Sequence, residues 1–193
     1  MSDRRPVDPI AIDVGDLVQK TVASLYSHLI TRPTGRAVRL AIEAQLADAG
    51  DQALSLIDLS EVTLLDFSCA DEVVAKLLQR YQDHRRTDAY FVFRGVTEPH
   101  RDQIEVVLER QSLAAVAETG SGHFELLGSR SEEEGRLWQE LEEVGRMSGP
   151  GNGQRGDDGR QGTLQRLVFR GLAYRSGAAG EVVALSRLVR HLG

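Results

Sequence analysis

Residues 53–81 read ALSLIDLSEVTLLDFSCADEVVAKLLQRY, and this stretch decides the fold. Its first part, 53–59, is an almost unbroken apolar run, which is typical of a strand covered on both faces of a sheet. A second apolar stretch then leads into the polar group at 68–72. Beyond it, apolar residues recur at helical spacing and predict a helix over 69–81. A buried strand followed by a turn and a helix indicates an α/β protein.

The flanking sequence extends this pattern on both sides. Strands that alternate with helices of ten or more residues imply parallel pairing through right-handed crossovers. We therefore expect residues 10–128 to form one α/β domain, a sheet layered with helices, after a flexible tail at 1–9. The further elements that the sequence predicts are an edge strand at 10–14, helices at 17–31 and 34–50 separated by Pro33, a strand at 89–93, a helix at 99–110 and a strand at 124–127.

The pattern changes after residue 129, and we expect 130–193 to form a small appendage. A charged helix is predicted at 131–147, followed by a glycine-rich loop at 148–162. Apolar residues at helical spacing from Leu164 to Leu172 predict a helix, and two short apolar stretches around a glycine-bearing turn predict a hairpin at 173–185.

Composition excludes several classes of protein. The chain has 193 residues, 41% of them hydrophobic, a net charge of −6 and a single cysteine, Cys69. It has no apolar stretch long enough to cross a bilayer and no apolar signal region near its start, so we expect a cytoplasmic protein. One cysteine excludes an internal disulfide, and the five histidines lack metal-ligand spacing. We expect no enzyme activity, no cofactor and no metal site.

The junction at 66–72 places polar residues between a buried strand and the first turn of a helix. Ser68 is suited to cap that helix, with Asp71 three residues later, close to a capping box. A purely structural cap is one interpretation. The other is functional, because helix starts that follow strands are where α/β folds present groups to ligands and kinases.

Two parts of this stretch carry a resemblance to a known family. The segment LIDLSEVTLLDFSCA at 56–70 resembles the core motif of STAS domains, the anti-sigma factor antagonist family. The segment SCADE at 68–72 is similar to a motif of STAS-like domains that accompany histidine-kinase-type ATPases. The resemblance covers about 34–127 and implies a STAS-like sheet layered with helices.

The resemblance also implies a function. In family members that are regulated by phosphorylation, a partner-switching kinase modifies a serine that corresponds to Ser68, with Asp66 as the motif's aspartate. Phe67 and Cys69 depart from the family pattern, which has serine and glycine at these positions. The implied function is partner switching with an ATPase-kinase or an anti-sigma factor. The residues expected to bind the partner are Phe67, Cys69, Asp71 and Glu72.

The C-terminal segment 163–188 resembles the last helix and wing of a winged-helix domain. From Arg160 onward the chain holds six arginines and a single acidic residue, Glu181. The alternative function is therefore a transcriptional regulator in which Arg166, Arg170 and Arg175 lie on one exposed face and contact DNA. The glutamates of the 131–143 helix would repel DNA phosphates, so we favour winged-helix-like packing without DNA binding.

Overall fold

The computed structural model describes residues 10–13, 28–48, 53–83, 89–149, 158–176 and 180–190. The predicted tail at 1–9 lies outside these ranges. The strands are β1 (Ile10–Asp13), β2 (His28–Leu29), β3 (Ala53–Asp58), β4 (Leu64–Leu65), β5 (Ala89–Val96), β6 (Ala114–Thr119), β7 (Phe124–Gly128), β8 (Arg146–Met147), β9 (Ala173–Arg175) and β10 (Val182–Ala184). The helices are α1 (Arg32–Asp48), α2 (Phe67–Ala70, continued by the π-helical turns Asp71–Lys76 and by Leu77–Asp83), α3 (Glu98–Arg110), α4 (Glu132–Val144), α5 (Asp158–Phe169) and α6 (Leu185–Val189).

A five-stranded sheet with the order β1-β3-β5-β6-β7 forms the centre of the molecule. The pairs from β1 to β6 are parallel, and β7 runs antiparallel to β6. Strands β3 and β5 are adjacent in a register that pairs Leu56 with Val92. The α/β class and the pairing of the two apolar runs at 53–59 and 89–93 are thus confirmed, and the edge strand at the start of the chain is β1.

The first face of the sheet is covered by α1, α2 and α3. Ile57 and Phe93, which are fully buried, point to this face and pack in one core cluster with Val38, Val74 and Ile104 from the three helices. Successive residues of a strand face opposite sides of the sheet, so the neighbours of these residues need cover on the second face.

The C-terminal segment supplies that cover. Leu56 and Val92 form a second core cluster with Trp138 of α4, Leu167 of α5 and Val182 of β10. We call this cluster the C-terminal core. The apolar runs of β3 and β5 are therefore buried on both faces, as their composition predicts.

Within the C-terminal segment, β8, β10 and β9 form a three-stranded antiparallel sheet in that order. The predicted hairpin is confirmed, and β8 adds a third strand to it. The indole Nε1 of Trp138 donates a hydrogen bond to the carbonyl oxygen of Leu172 at 3.2 Å. This bond joins α4 to the turn before β9, and Leu164 and Leu167 pack against α4 as the helical spacing predicts.

Several predicted boundaries are wrong. A helix is predicted over 17–31, but His28 and Leu29 form strand β2. Residues 14–27 lie outside the described ranges. Pro33 does not terminate a helix but lies in the first turn of α1, where its missing N–H costs nothing. The predicted loop at 148–162 is helical from Asp158 onward. Strand β6 was not predicted, because its residues Ala114–Thr119 are mostly small.

Candidate functional site: the Ser68 turn

Asp66, and not Ser68, caps helix α2. Its carboxylate oxygen Oδ1 accepts the backbone N–H of Cys69 at 2.8 Å, while Asp66 itself has extended backbone geometry. Ser68 already lies in the first helical turn, and its hydroxyl donates to the same Oδ1 at 2.9 Å. The predicted cap at Ser68 is therefore wrong by two residues. The serine hydroxyl is half-buried and is oriented by the aspartate that precedes it.

Cys69 is a packing residue between α2 and the start of α1. It is fully buried, and its thiol Sγ donates to the carbonyl oxygen of Thr31 at 3.0 Å. Burial, followed by the negative charge of Asp66, raises the pKa of the Cys69 thiol to about 12. A thiol in this environment is not a nucleophile at neutral pH. The prediction that Cys69 binds a partner is wrong, because its side chain is fully buried.

Asp71 and Glu72 are buried in a cluster of ion pairs. Arg32 Nη1 lies 2.7 Å from an Asp71 carboxylate oxygen and 3.0 Å from Glu72 Oε1. Arg39 Nε lies 3.3 Å from Glu72 Oε2, and the ammonium group of Lys76 bonds to Glu72 Oε1. The two carboxylates are thus held by side chains of α1 and by Lys76 of α2, and little of either is available to a partner.

The attraction between Glu72 and the cations around it outweighs the free-energy cost of burying its charge. Burial acts to raise the pKa of Glu72, but the bonds from Lys76, Arg32 and Arg39 together hold that pKa below its usual value. A carboxylate that is buried and ionised needs such partners. The π-helical turns begin at Asp71, and such turns are frequent at functional sites.

Most of this cluster could not be predicted from the sequence. Lys76 follows Glu72 by four residues on one helix, a spacing that identifies an ion pair. No such local signal exists for Arg32 and Arg39, which lie more than thirty residues earlier in the chain and meet Glu72 only because α1 packs on α2.

Gly35 allows α1 to approach α2 this closely. A Cβ atom at Gly35 would lie 2.9 Å from Cys69 Cα and 3.2 Å from both Cys69 Sγ and Glu72 Cβ. The nearest of these is a backbone atom, which cannot move aside without shifting α2. The absent side chain at this position is therefore a condition for the ion pairs between the two helices.

We expect Gly35→Ala to lower the free energy of unfolding by about 1–3 kcal/mol, because overpacking outweighs the better helix propensity of alanine. Gly162→Ala is the control, since a Cβ there would meet only an arginine side chain at 3.9 Å within α5. That change should be neutral or stabilise by up to about 1 kcal/mol. Urea denaturation followed by circular dichroism measures both, and equal effects would contradict this account of Gly35.

Exposed apolar side chains lie beside the Ser68 turn. Strand β4, which directly precedes α2, pairs in parallel with β2. Leu64 of β4 and Ile30, the residue that follows β2, are each about half exposed, at 50% and 49%. Phe67 is half-buried, and the guanidinium of Arg110 in α3 lies 5.2 Å from its ring centroid. We call Ile30, Leu64, Phe67 and Ser68 together the Ser68 surface.

The C-terminal arginines have acidic neighbours. Arg166 lies 3.1 Å from Glu133 of α4, and Arg170 lies 3.0 Å from Glu134 and donates to the Ser129 carbonyl oxygen at 2.6 Å. The Arg170 side chain is only 22% exposed. Arg175 is exposed on β9. Two of the three candidate DNA contacts are therefore engaged in ion pairs with the protein's own glutamates.

The described part of the chain gives no support for a metal site or a membrane-spanning helix. The described residues contain no group of three or more histidine, cysteine or acidic side chains that could hold a metal ion. None of the helices in the described ranges has the length and apolarity that a membrane crossing requires. Comparison of the chain with protein-family models, with curated proteins and with solved structures finds no match.

Proposed function

We propose that this protein is a cytoplasmic regulatory module of the anti-sigma factor antagonist type, which binds a protein partner through the Ser68 surface. The observation that carries the proposal is the position of the Ser68 hydroxyl. It is held by Asp66 in the first turn of α2. That turn directly follows β4, which carries the half-exposed Leu64 and pairs with β2, the strand that leads into the half-exposed Ile30. Exposed apolar patches that are bordered by polar residues are typical of protein interaction sites.

Phosphorylation of Ser68 is the proposed switch. A partner kinase would transfer the γ-phosphoryl group of ATP to Ser68 Oγ, which loses its proton while ADP leaves. The modified oxygen can no longer donate to Asp66, so an attractive hydrogen bond is replaced by repulsion between a phosphate and a carboxylate. A doubly charged group then stands on the Ser68 surface, and the cost of removing that charge from water weakens binding of the partner.

The C-terminal segment supports the resemblance to a winged helix. Helix α4 is followed by β8, α5 and the hairpin β9–β10, and the strand order β8-β10-β9 places the first strand beside the last. We propose that this unit acts by packing on the sheet and not by binding DNA. The pairing of Arg166 and Arg170 with Glu133 and Glu134 supports that choice, since DNA phosphates would have to displace those glutamates.

We expect Ser68→Asp to weaken binding of the partner at least tenfold, about 1.4 kcal/mol, because a new charge enters the docking surface. The partner is first identified by capturing proteins from the native cell with the full chain and by mass spectrometry of the partner and of phosphorylated sites. Calorimetry with the purified partner then gives the affinity of each variant.

Ser68→Ala is the matched control for this experiment. It removes the hydroxyl without adding charge and should leave the affinity within about twofold. Leu64→Ser, which changes an exposed apolar residue of the same surface, should weaken binding as well. Equal affinities for the wild-type protein and all three variants would exclude the Ser68 surface as the docking site.

A further inference from the structure

Arg32 lies over the helical turn that follows Ser68. Its Nη1 bridges Asp71 and Glu72, which come three and four residues after Ser68 in α2. Side chains at these spacings are neighbours on one face of a helix, with about 5–6 Å between Cβ atoms. The guanidinium of Arg32, which belongs to α1, therefore lies over the face of α2 that carries Ser68, about one turn further along that helix.

The charged groups around Ser68 favour Arg32 as the partner of a phosphate at this position. Asp66 lies on the N-terminal side of Ser68 and would repel the phosphate, as the hydroxyl bond between them is lost. Arg110 stacks on Phe67, whose side chain leaves the helix about 100° away from that of Ser68. Of the two cations paired with Asp71, Arg32 makes the closer contact, at 2.7 Å against 3.8 Å for Lys76, and its side chain is 47% exposed.

We propose that Arg32 binds the phosphate of phosphorylated Ser68 and gives up its ion pair with Asp71 to do so. This proposal rests on the phosphorylation proposed above, and it adds a specific receptor for the modification. A guanidinium group forms two parallel, charge-assisted hydrogen bonds to a phosphate, whereas Arg32 gives Asp71 one bond, from Nη1.

The movement of Arg32 from Asp71 to the phosphate would pass the effect of phosphorylation from Ser68 to helix α1. Arg32 is the first residue of α1, and its bonds to Asp71 and Glu72 help to hold the start of that helix on α2. Arg39 and Lys76 remain on Glu72 after the exchange, and within the described ranges Asp71 keeps the longer 3.8 Å contact with Lys76. The start of α1 is therefore repositioned without loss of the whole cluster.

The test uses full-length protein with phosphoserine incorporated at position 68 during translation, so that no kinase or partner is needed. Phosphorus NMR measures the second pKa of the phosphate, which is about 6 for free phosphoserine. We expect Arg32→Met to raise this pKa by about 1 unit, because an adjacent cation stabilises the doubly charged form.

Lys76→Met is the matched control, because Lys76 also pairs with Asp71 and Glu72 but lies two turns from Ser68. It should raise the phosphate pKa by less than half as much. Equal shifts in the two variants, no shift with Arg32→Met, or a shift produced only by Arg110→Met would each overturn the proposal.

A second measurement requires no substitution. In the phosphorylated wild-type protein, the guanidinium nitrogen resonances of Arg32 should titrate with the phosphate, while those of Arg36 on the same helix should not. Resonances of Arg32 that do not respond would also overturn the proposal. Because neither measurement involves a partner, failure here leaves the proposed partner binding untouched, and failure of partner binding leaves this result standing.

Discussion

Trp138→Ala is expected to lower the free energy of unfolding by about 3–5 kcal/mol. The Trp138 side chain is 3% exposed and belongs to the C-terminal core, where it packs with residues of the central sheet. Alanine removes this packing, leaves a cavity and deprives the Leu172 carbonyl oxygen of its hydrogen bond from the indole. Urea denaturation monitored by circular dichroism measures the loss.

The form of the transition is as informative as its midpoint. Because the sheet and the C-terminal segment share one core cluster, we expect a single transition in the wild-type protein and in the variant. Val144→Ala is the control, since this residue of the same helix is 55% exposed and its loss should change stability by no more than about 0.5 kcal/mol. A separate early unfolding transition in the Trp138→Ala protein would mean that 130–193 unfolds as an independent domain.

Glu72→Gln is expected to lower the free energy of unfolding at neutral pH by about 3 kcal/mol. This is the low end for breaking a buried ion pair, because Arg32 and Lys76 are partly exposed and can turn to water after the loss. The other partner, Arg39, is mostly buried, and the ion pair that it keeps in the described part of the chain is with Glu43 at 2.6 Å. Denaturation curves at several pH values measure the effect.

The pH dependence has a definite sign. The pKa of Glu72 is lower in the folded protein than in the unfolded chain, so its charge stabilises the fold above the unfolded value of about 4.3. That stabilisation is lost as the pH falls through the folded pKa. The difference between wild type and Glu72→Gln should therefore be constant from about pH 6 to 8 and shrink below about pH 4.

Glu132→Gln separates this effect from a general loss of charge. Its carboxylate pairs with Arg136 on the surface of α4, where the two side chains are 90% and 80% exposed. Such a pair contributes less than about 0.5 kcal/mol. If both glutamine variants lose the same stability, the cluster around Glu72 has no special role in the fold.

The central sheet could be predicted because its signals are local. The runs at 53–59 and 89–93 are apolar on both faces, and this pattern predicts both their burial and their pairing. Strand β6 escaped prediction because Ala114, Ala115 and Ala117 have no preference for a strand, and its place follows only from the neighbours β5 and β7. The antiparallel direction of β7 follows from the short connection after β6, which has no room for a crossover helix.

The location of the candidate site in the sequence could be predicted, but its hydrogen bonds and ion pairs could not. The sequence indicates that residues 66–72 lie at the start of a helix, and the structure agrees. The exchange of roles between Asp66 and Ser68 depends on where the first helical turn begins, and such boundaries are the least certain part of a sequence pattern. The ion pairs of Arg32 and Arg39 depend on the packing of two helices distant in sequence, for which no local pattern exists.

The two-sided cover of the sheet has a consequence for synthesis on the ribosome. The first face is complete once β7 has emerged at Gly128, but Leu54, Leu56 and Val92 on the second face await partners that extend to Val189 of α6. At roughly 5–20 residues per second, the nascent sheet carries an uncovered apolar face for several seconds. A general chaperone that binds apolar surface would meet this face of the sheet during that interval and would find it covered once the C-terminal segment has packed.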